Sequence, residues 1–381
     1  MSCKEPNVIE YWTNTIYLKD QNKETEQPKG TKIRIISPKS QEFKGYEYYL
    51  DQDKKIKLKE SYEYWGDLDS NHPVKLPKYT EHGYKLVPCR HCIGCKLKET
   101  KEWALRIELE SKQYEHNYFI TLTYNDENLP MKEYSINEKT GEKYTPEDFS
   151  YNWKGTLYKP HTQQFLKSLR QYFKREFNHE GCKFYLAGEY GTLGERPHYH
   201  LILLNTPELE LKPIGMNTKT GHPYYINERI EKIWGKGFIT IGEVTWDSIS
   251  YTAGYCQKKL YGDIGQEIYA IKGQEPIFAN MSRRPGIGRS YFNLYEKEIY
   301  KNDEIINSKG QSVKPPSYFD RLENDIGEED YLKELKRIRS EYAQNELKKK
   351  MLKTNVTIQE QLQIEKRTLE EKQKYYNRER I

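Results

Sequence analysis

Residues 196–205 read RPHYHLILLN, from Arg196 to Asn205, and this stretch organises the rest of the chain. His198 and His200 alternate with Tyr199 and run straight into an apolar segment. In a strand, the period of two sends both imidazoles to one face and Tyr199 to the other. The pair therefore either shares a ligand or packs as ordinary sheet residues. For an isolated His-x-His, packing is the commoner outcome, because short motifs match by chance.

Upstream, KFYLAGEYG (183–191) and HYHLILLN (198–205) flank the loop GTLGERP as the two arms of an antiparallel hairpin do. A register that sets Glu189 opposite His198 or His200 brings its carboxylate to their face. Two imidazoles and a carboxylate with open positions left over suit a divalent cation.

The surrounding pattern is mixed. YFITLTYNDENLP (118–130) is an alternating β-branched and aromatic run halted by Asn-Asp and Pro, hence a strand. TQQFLKSLRQYFKREF places Phe165, Leu166, Leu169, Tyr172, Phe173 and Phe177 at helical spacing, with Lys and Arg on the other side. KETKEWALRIELESKQY brings Trp103, Ile107 and Tyr114 close to one helical stripe. GFITIGEVT reads as a further strand, and Asp247 is the expected N-cap of a helix running to Gly262. The order helix, strand, helix, strand, strand, strand, helix predicts an α+β domain, helices packed on a central antiparallel sheet.

Outside this core the chain is less informative. Residues 1–80 hold one short β-like run, Thr31 to Ser37; beyond about 315 the chain is charged and almost free of Gly and Pro, which predicts long exposed helices. The expected division is an N-terminal region at 1–80, a core with a Cys-rich entry at 81–300, and a charged helical region at 301–381.

The 381 residues carry 62 Lys and Arg against 57 Asp and Glu, a net charge of +5 that permits an anionic partner without requiring one. There are 34 Tyr against 11 Phe, so many rings can pack at one end and stack or hydrogen-bond at the other. No segment approaches the roughly 18 apolar residues of a membrane span, and MSCKEPNVIEYW lacks the pattern of a secretory leader. Three of the six cysteines lie together and the rest are scattered, a poor disulfide framework; a cytosolic protein is expected.

YTAGYCQKK places Tyr251, Tyr255, Lys258 and Lys259 at i, i+4, i+7 and i+8 of a helix, so two phenols and two ammoniums share a face. A nearby cation favours the phenolate form of a group that ionises near pH 10. The competing reading is a tyrosine-rich helix whose lysines reach to solvent.

Taken in order, FITLTY, then Glu189 with His198 and His200, then YTAGYCQKK resemble motifs I, II and III of the HUH endonucleases that initiate rolling-circle replication. PCRHCIGCK ahead of the first motif and MSRRPGIGRSYF after the third resemble, more narrowly, the replication initiators of gokushoviruses, single-stranded DNA phages of the microvirus group. The resemblance covers roughly residues 85 to 295. It implies an HUH nicking-joining domain with His198, His200 and Glu189 as metal ligands, Tyr251 and Tyr255 as nucleophiles, and Lys258 or Lys259 assisting both, since Gly254 stands three residues after Tyr251. It also implies Mg²⁺ or Mn²⁺ as cofactor and origin DNA, double- and single-stranded, as partner. Host helicase and polymerase follow as further partners, and the cytoplasm of the infected bacterium as location.

Two segments add candidates. Cys89, Cys92 and Cys95 in CRHCIGC have spacing that can start a structural zinc site, with a fourth ligand to come from His82 or Cys3; otherwise they are buried thiols at a helix start. Arg283, Arg284 and Arg289 surround a Gly-containing turn suited to phosphates, and Thr123, Tyr124 and Asn125 at the exit of FITLTY are candidate DNA contacts. The rival readings are an HUH relaxase or transposase of a mobile element, and a non-catalytic single-stranded DNA binder.

Overall fold

The computed structural model describes residues 3, 7–20, 23–36, 47–50, 56–59, 81–90, 92–138, 140–148, 153–192, 194–217, 221–255, 262–327, 329–356 and 358–379. Lys258 and Lys259 lie outside the described residues. The chain divides into two compact units, residues 1–98 with 330–381, and residues 99–329.

The chain opens with β1 (Asn7–Asp20), β2 (Lys23–Ile36), β3 (Glu47–Leu50), β4 (Ile56–Lys59) and β5 (Glu81–Val87). Strands β2-β1-β5 form one antiparallel sheet and β3-β4 a hairpin, so the β-like run at Thr31 is the end of a much longer strand. α1 (Ile93–Ser111) follows and continues into the second unit.

That unit holds β6 (Tyr118–Thr123), a small hairpin of β7 (Ser135–Ile136) and β8 (Lys143–Tyr144), α2 (Lys159–Phe177), β9 (Lys183–Tyr190) and β10 (Pro197–Leu204). It continues with β11 (Lys212–Met216), β12 (Pro223–Ile226), α3 (Glu228–Trp234), β13 (Ile239–Glu243), α4 (Trp246–Gly254) and α5 (Gly262–Ile271). β14 (Phe278–Met281), α6 (Arg289–Asn302), the pair β15 (Ile305–Ile306) and β16 (Ser312–Val313), and α7 (Ser317–Ile326) complete it. The charged C-terminal helices are α8 (Glu329–Met351) and α9 (Ile358–Glu379), bridged by an ion pair between Lys350 and Glu365.

The fold is α+β, as the pattern predicts: a seven-stranded antiparallel sheet in the order β11-β12-β13-β6-β10-β9-β14, packed with helices. β10 lies between β6 and β9 and is covered on both faces, which explains why it turns from alternation into the unbroken LILL. Tyr199, Leu201 and Leu203 face one way, into a core with Phe165, Leu169 and Phe173 of α2 and Ile230 and Trp234 of α3. Ile202 and Leu204 face the other, against Ala104 and Ile107 of α1 and Ile249 and Ala253 of α4. His198 and His200 share the parity of Ile202 and so open onto the α1 and α4 side.

Three details differ from the sequence reading. Phe177, counted in the apolar stripe of α2, is 41% exposed in the last turn, while Phe165, Leu166, Leu169 and Phe173 are buried. The helix after β13 is capped by Thr245, not Asp247, and ends at Gly254 rather than continuing to Gly262. Strands β11, β12 and β14 extend a sheet whose central four strands the pattern predicts.

Gly237 is where chain geometry leaves least choice. The turn into β13 brings its backbone against β6, with Trp234 Nε1 donating to Thr123 O at 2.8 Å and Asn125 N to Lys236 O at 3.0 Å. Gly237 has φ +147°, and a Cβ there would overlap the backbone of Thr123 and Asn125.

Candidate active site

In the β9-β10 hairpin His198 pairs with Glu189, and on the other side His198 pairs with Thr123 and His200 with Thr121 of β6. The alternation of three strands thus delivers a carboxylate, two imidazoles and two hydroxyl side chains to one face. Glu189 Oε1 lies 2.9 Å from His198 Nε2 and 3.2 Å from His200 Nε2. The two rings are edge to face, with centroids 4.9 Å apart.

The outer nitrogens are also held. His198 Nδ1 lies 3.1 Å from the carbonyl of Arg196, which can only accept, so Nδ1 carries the proton in the neutral ring. Its Nε2 lone pair then faces a carboxylate oxygen, an arrangement that becomes favourable when a proton or a metal ion lies between them. His200 Nδ1 sits 3.1 Å from Thr121 Oγ1. Buried to 3% and 5% exposure, Glu189 and His200 are shielded from competing water. Burial raises the Glu189 carboxyl, but the two imidazoles outweigh it and hold it well below the usual carboxylate range. The three ligand atoms lie within 4.8 Å of one another, and N,N,O donors with outer partners already fixed fit a divalent cation.

α4 brings the tyrosines to the same place. Its N-terminus is set by a capping box: Ser248 N donates to Thr245 Oγ1 at 3.2 Å, and Thr245 N to Ser248 Oγ at 2.9 Å. Asp247 falls in the first turn, where its charge faces the helix N-terminus favourably. Ile249, Thr252 and Ala253 are buried, anchoring the helix and leaving Tyr251 and Tyr255 over the histidines. The Tyr255 ring stacks on His200 at 4.9 Å and 4°, with Phe119 stacked on His200 at 5.7 Å and 10°. Tyr251 meets His200 at 5.1 Å and Tyr255 at 4.7 Å, both edge to face.

The phenols differ in environment. Tyr255 is 2% exposed and Tyr251 39%. Burial lifts the Tyr255 phenol far above its ordinary value, and the Glu189 charge beside it acts in the same direction. Because the capping box fixes where α4 starts, Thr245→Ala is expected to cost ~1 kcal/mol of stability and to lower activity through the tyrosine positions. Thermal melting and turnover of the same variant check this; an unchanged melting temperature would count against the cap.

The other candidates are more dispersed. Tyr199 is buried, its hydroxyl accepting from Tyr158 N at 2.8 Å and lying 3.1 Å from Tyr124 Oη. Tyr124 is 3% exposed in the same core, so only Thr123 and Asn125 at that strand exit reach the surface. Thr123 Oγ1 donates to Phe238 O and Asn125 Oδ1 accepts from Asn128 N, both at 3.0 Å. Arg283 and Arg284 are exposed, while Arg289 is half-buried with Nε donating to Asn293 Oδ1 at 2.9 Å.

The arginine turn rests on residues that sequence reasoning missed. Glu110, inaccessible in α1, pairs with Lys183 and accepts from Tyr114 Oη at 2.8 Å and from Gly288 N at 2.7 Å. Lys183 Nζ also donates to Ser290 Oγ at 3.0 Å, and Arg106 places Nε and Nη2 on Ile287 O at 3.0 and 2.9 Å. Glu110 and Arg106 fall in a charged stretch that looked solvent-facing. Thr121 was findable, since strand parity puts it on the His200 face.

A family model described as replication-associated protein ORF2 matches residues 117–260, which span β6 through the tyrosine segment. The replication-associated protein ORF2 of Spiroplasma virus 4 is 37% identical over 266 residues, covering 68% of this chain and 75% of that protein. The replication-associated protein VP4 of Bdellovibrio phage phiMH2K is 30% identical over 236 residues, 61% of this chain and 65% of its own length. The replication-associated protein ORF4 of Chlamydia phage 1 is 26% identical over 268 residues, 69% and 58% of the two chains. No solved structure matches. With a relative this similar over three quarters of its length, and a family model centred on the strands and helix that build the site, the chain belongs to the family of replication-associated protein ORF2.

Proposed function

We propose that the protein initiates rolling-circle replication of a phage genome by nicking one strand of the origin through tyrosine attack, and later rejoins the ends. The observation that carries this reading is the convergence on His200 of a Glu189, His198, His200 donor set and two tyrosines of one helix. Mg²⁺ or Mn²⁺ held by those three residues supplies charge neutralisation and orientation at the phosphoryl oxygens.

Tyr251 presents its hydroxyl to the incoming strand. Its oxygen bonds to phosphorus as the P–O3′ bond breaks; the phenolic proton is given up and the departing 3′ oxygen takes one, leaving a 5′-phosphotyrosine and a free 3′-OH. The phosphodiester energy is conserved in the protein link, so the reverse attack reseals DNA without a nucleotide. Tyr255, one helical turn on, performs the second transfer while Tyr251 still holds the first end. Lys258 and Lys259 are proposed to assist both tyrosines. Exposed Arg283 and Arg284, with Arg289, Thr123 and Asn125, contact the phosphates around the cut. The free 3′-OH is a primer, so a host polymerase and helicase in the bacterial cytoplasm complete the scheme.

Incubation of the protein with Mn²⁺ and a labelled single-stranded oligonucleotide spanning the origin, followed by a denaturing gel, tests this. A labelled band at the mass of protein plus DNA is expected. Free 5′-phosphate ends without the band would mean water, not tyrosine, is the nucleophile; retention of uncut DNA would mean a binding protein.

A further inference from the structure

In the unit formed by residues 1–98 and 330–381, Cys3, Cys89, Cys92 and Cys95 make a buried cluster, with exposures of 1%, 9%, 4% and 9%. Cys3 precedes β1; Cys89 and Cys92 lie in the short segment between β5 and α1, and Cys95 in the first turn of α1. Thus a residue from the start of the sequence closes a set whose other three members are local. All four Sγ atoms lie within 4.8 Å of one another.

The spacing discriminates among the chemistries open to four thiols. A tetrahedral ion with metal–sulfur bonds of about 2.3 Å sets its sulfurs about 3.8 Å apart. Cys3 Sγ lies 3.6 Å from Cys89 Sγ and 3.8 Å from Cys92 Sγ. A disulfide needs a separation of about 2.05 Å, and all four of these cysteines are reduced thiols. A polynuclear iron–sulfur cage spreads its cysteines around several metal atoms, wider than this group.

The surrounding backbone is arranged for sulfur carrying negative charge. Cys89 N donates to Cys3 Sγ and Cys92 N to Cys89 Sγ, each at 3.3 Å. Arg90, between the two, adopts φ +65°, the turn that folds Cys89 and Cys92 toward one point. Cys95 sits at the N-terminus of the 19-residue α1, where the helix dipole favours an anion. Such donors orient and tune metal-bound thiolates.

We propose that Cys3, Cys89, Cys92 and Cys95 together hold one zinc ion in a tetrathiolate site. Binding forms four Zn–S bonds as each thiol releases its proton to solvent, with no change in oxidation state. All four tetrahedral positions are taken by protein, so the role is structural: the ion fastens the chain ahead of β1 to the start of α1. The proposal is independent of the nicking chemistry, because the N,N,O donors of Glu189, His198 and His200 share no residue with it.

Metal analysis of the full chain, expressed with zinc and purified without chelator, tests the assignment. One zinc per chain is expected in the wild type and equally in the His198→Ala, His200→Ala double variant. Cys89→Ser and Cys3→Ser are expected to lose their zinc on dialysis against a chelator that the wild type withstands. Should the serine variants fold poorly, cobalt titration of the metal-free wild type serves instead: thiolate ligands give sulfur-to-cobalt charge-transfer absorption in the near ultraviolet, which imidazole and carboxylate cannot produce. Zinc absent from the wild type together with no such absorption would overturn the proposal, as would iron in place of zinc. Undiminished zinc retention by Cys3→Ser would remove Cys3 from the site.

Discussion

Tyr251→Phe is expected to abolish the first covalent protein–DNA adduct, while Tyr255→Phe forms that adduct and stalls at the second transfer. Each change deletes one oxygen and keeps the ring, so stacking around His200 survives and the loss reports chemistry. The asymmetry rests on exposure: Tyr251 is 39% accessible, whereas Tyr255 lies buried flat on His200 beside the Glu189 carboxylate. A phenol in that second position gives up its proton only when a cation offsets Glu189 or when the first transfer has rearranged the site. The double variant should lose cleavage on the order of a million-fold, the scale seen when an enzyme loses its nucleophile. Adduct formation by the two single variants, on an oligonucleotide with one cleavage site and then on one with two, checks the order. If Tyr255→Phe blocks the first adduct and Tyr251→Phe does not, the assigned order is reversed; cleavage by the double variant would remove both tyrosines from the chemistry.

Glu110→Ala is expected to destabilise the protein by about 3–5 kcal/mol, because it strands the Lys183 ammonium, whose side chain is 8% exposed, with no counter-charge. For a unit of this size that lowers the melting temperature by roughly 6–20 °C. Glu110→Gln keeps an acceptor for Gly288 N but also leaves Lys183 charged and buried, so most of the loss should remain. Adding Lys183→Met removes that charge and should recover much of the stability. The ion pair also predicts a pH response. Burial raises the Glu110 carboxyl, yet Lys183 and Tyr114 outweigh it and the folded value lies below the ordinary one. The stabilisation is therefore complete above the unfolded carboxyl value, about 4.3, and disappears as the pH falls through the lower folded value. Urea melts from pH 7 downward should show the wild type losing this increment while Glu110→Gln, lacking the carboxyl, does not. Parallel wild-type and variant curves would exclude Glu110 as the source.

Much of the fold was legible because its central strands are local objects. FITLTY, KFYLAGEY and HYHLILL carry their own periodicity, and the loop between the last two is short enough to set Glu189 against His198. The edge strands were less visible for a physical reason: KPIGM contains Pro and Gly, and PYYI and FANM are four-residue, half-buried runs that declare themselves only through their neighbours. Thr245 and Asp247 are both good N-caps by type, and the choice fell to Ser248, which completes the reciprocal pair with Thr245. Contacts between distant positions left no local trace. Cys3 stands 86 residues from Cys89, and Glu110 stands 73 from Lys183, and nothing in either segment names its partner. Charged residues in α1 looked like a solvated face because Glu108, Glu110 and Arg106 are polar, although all three are buried.

The placement of β10 between two neighbours bears on heredity. The same every-other-residue rhythm that aims His198 and His200 at the α4 face aims Tyr199, Leu201 and Leu203 into the opposite core. An in-frame loss or gain of a single codon between His200 and Leu204 would exchange those two sets beyond the lesion, sending core residues toward the site or histidines into the core. Two codons would restore the parity and cost only length. Viable genomes in this lineage should therefore tolerate length changes in the 191–196 loop, yet carry them in even steps, if at all, along the strand that follows.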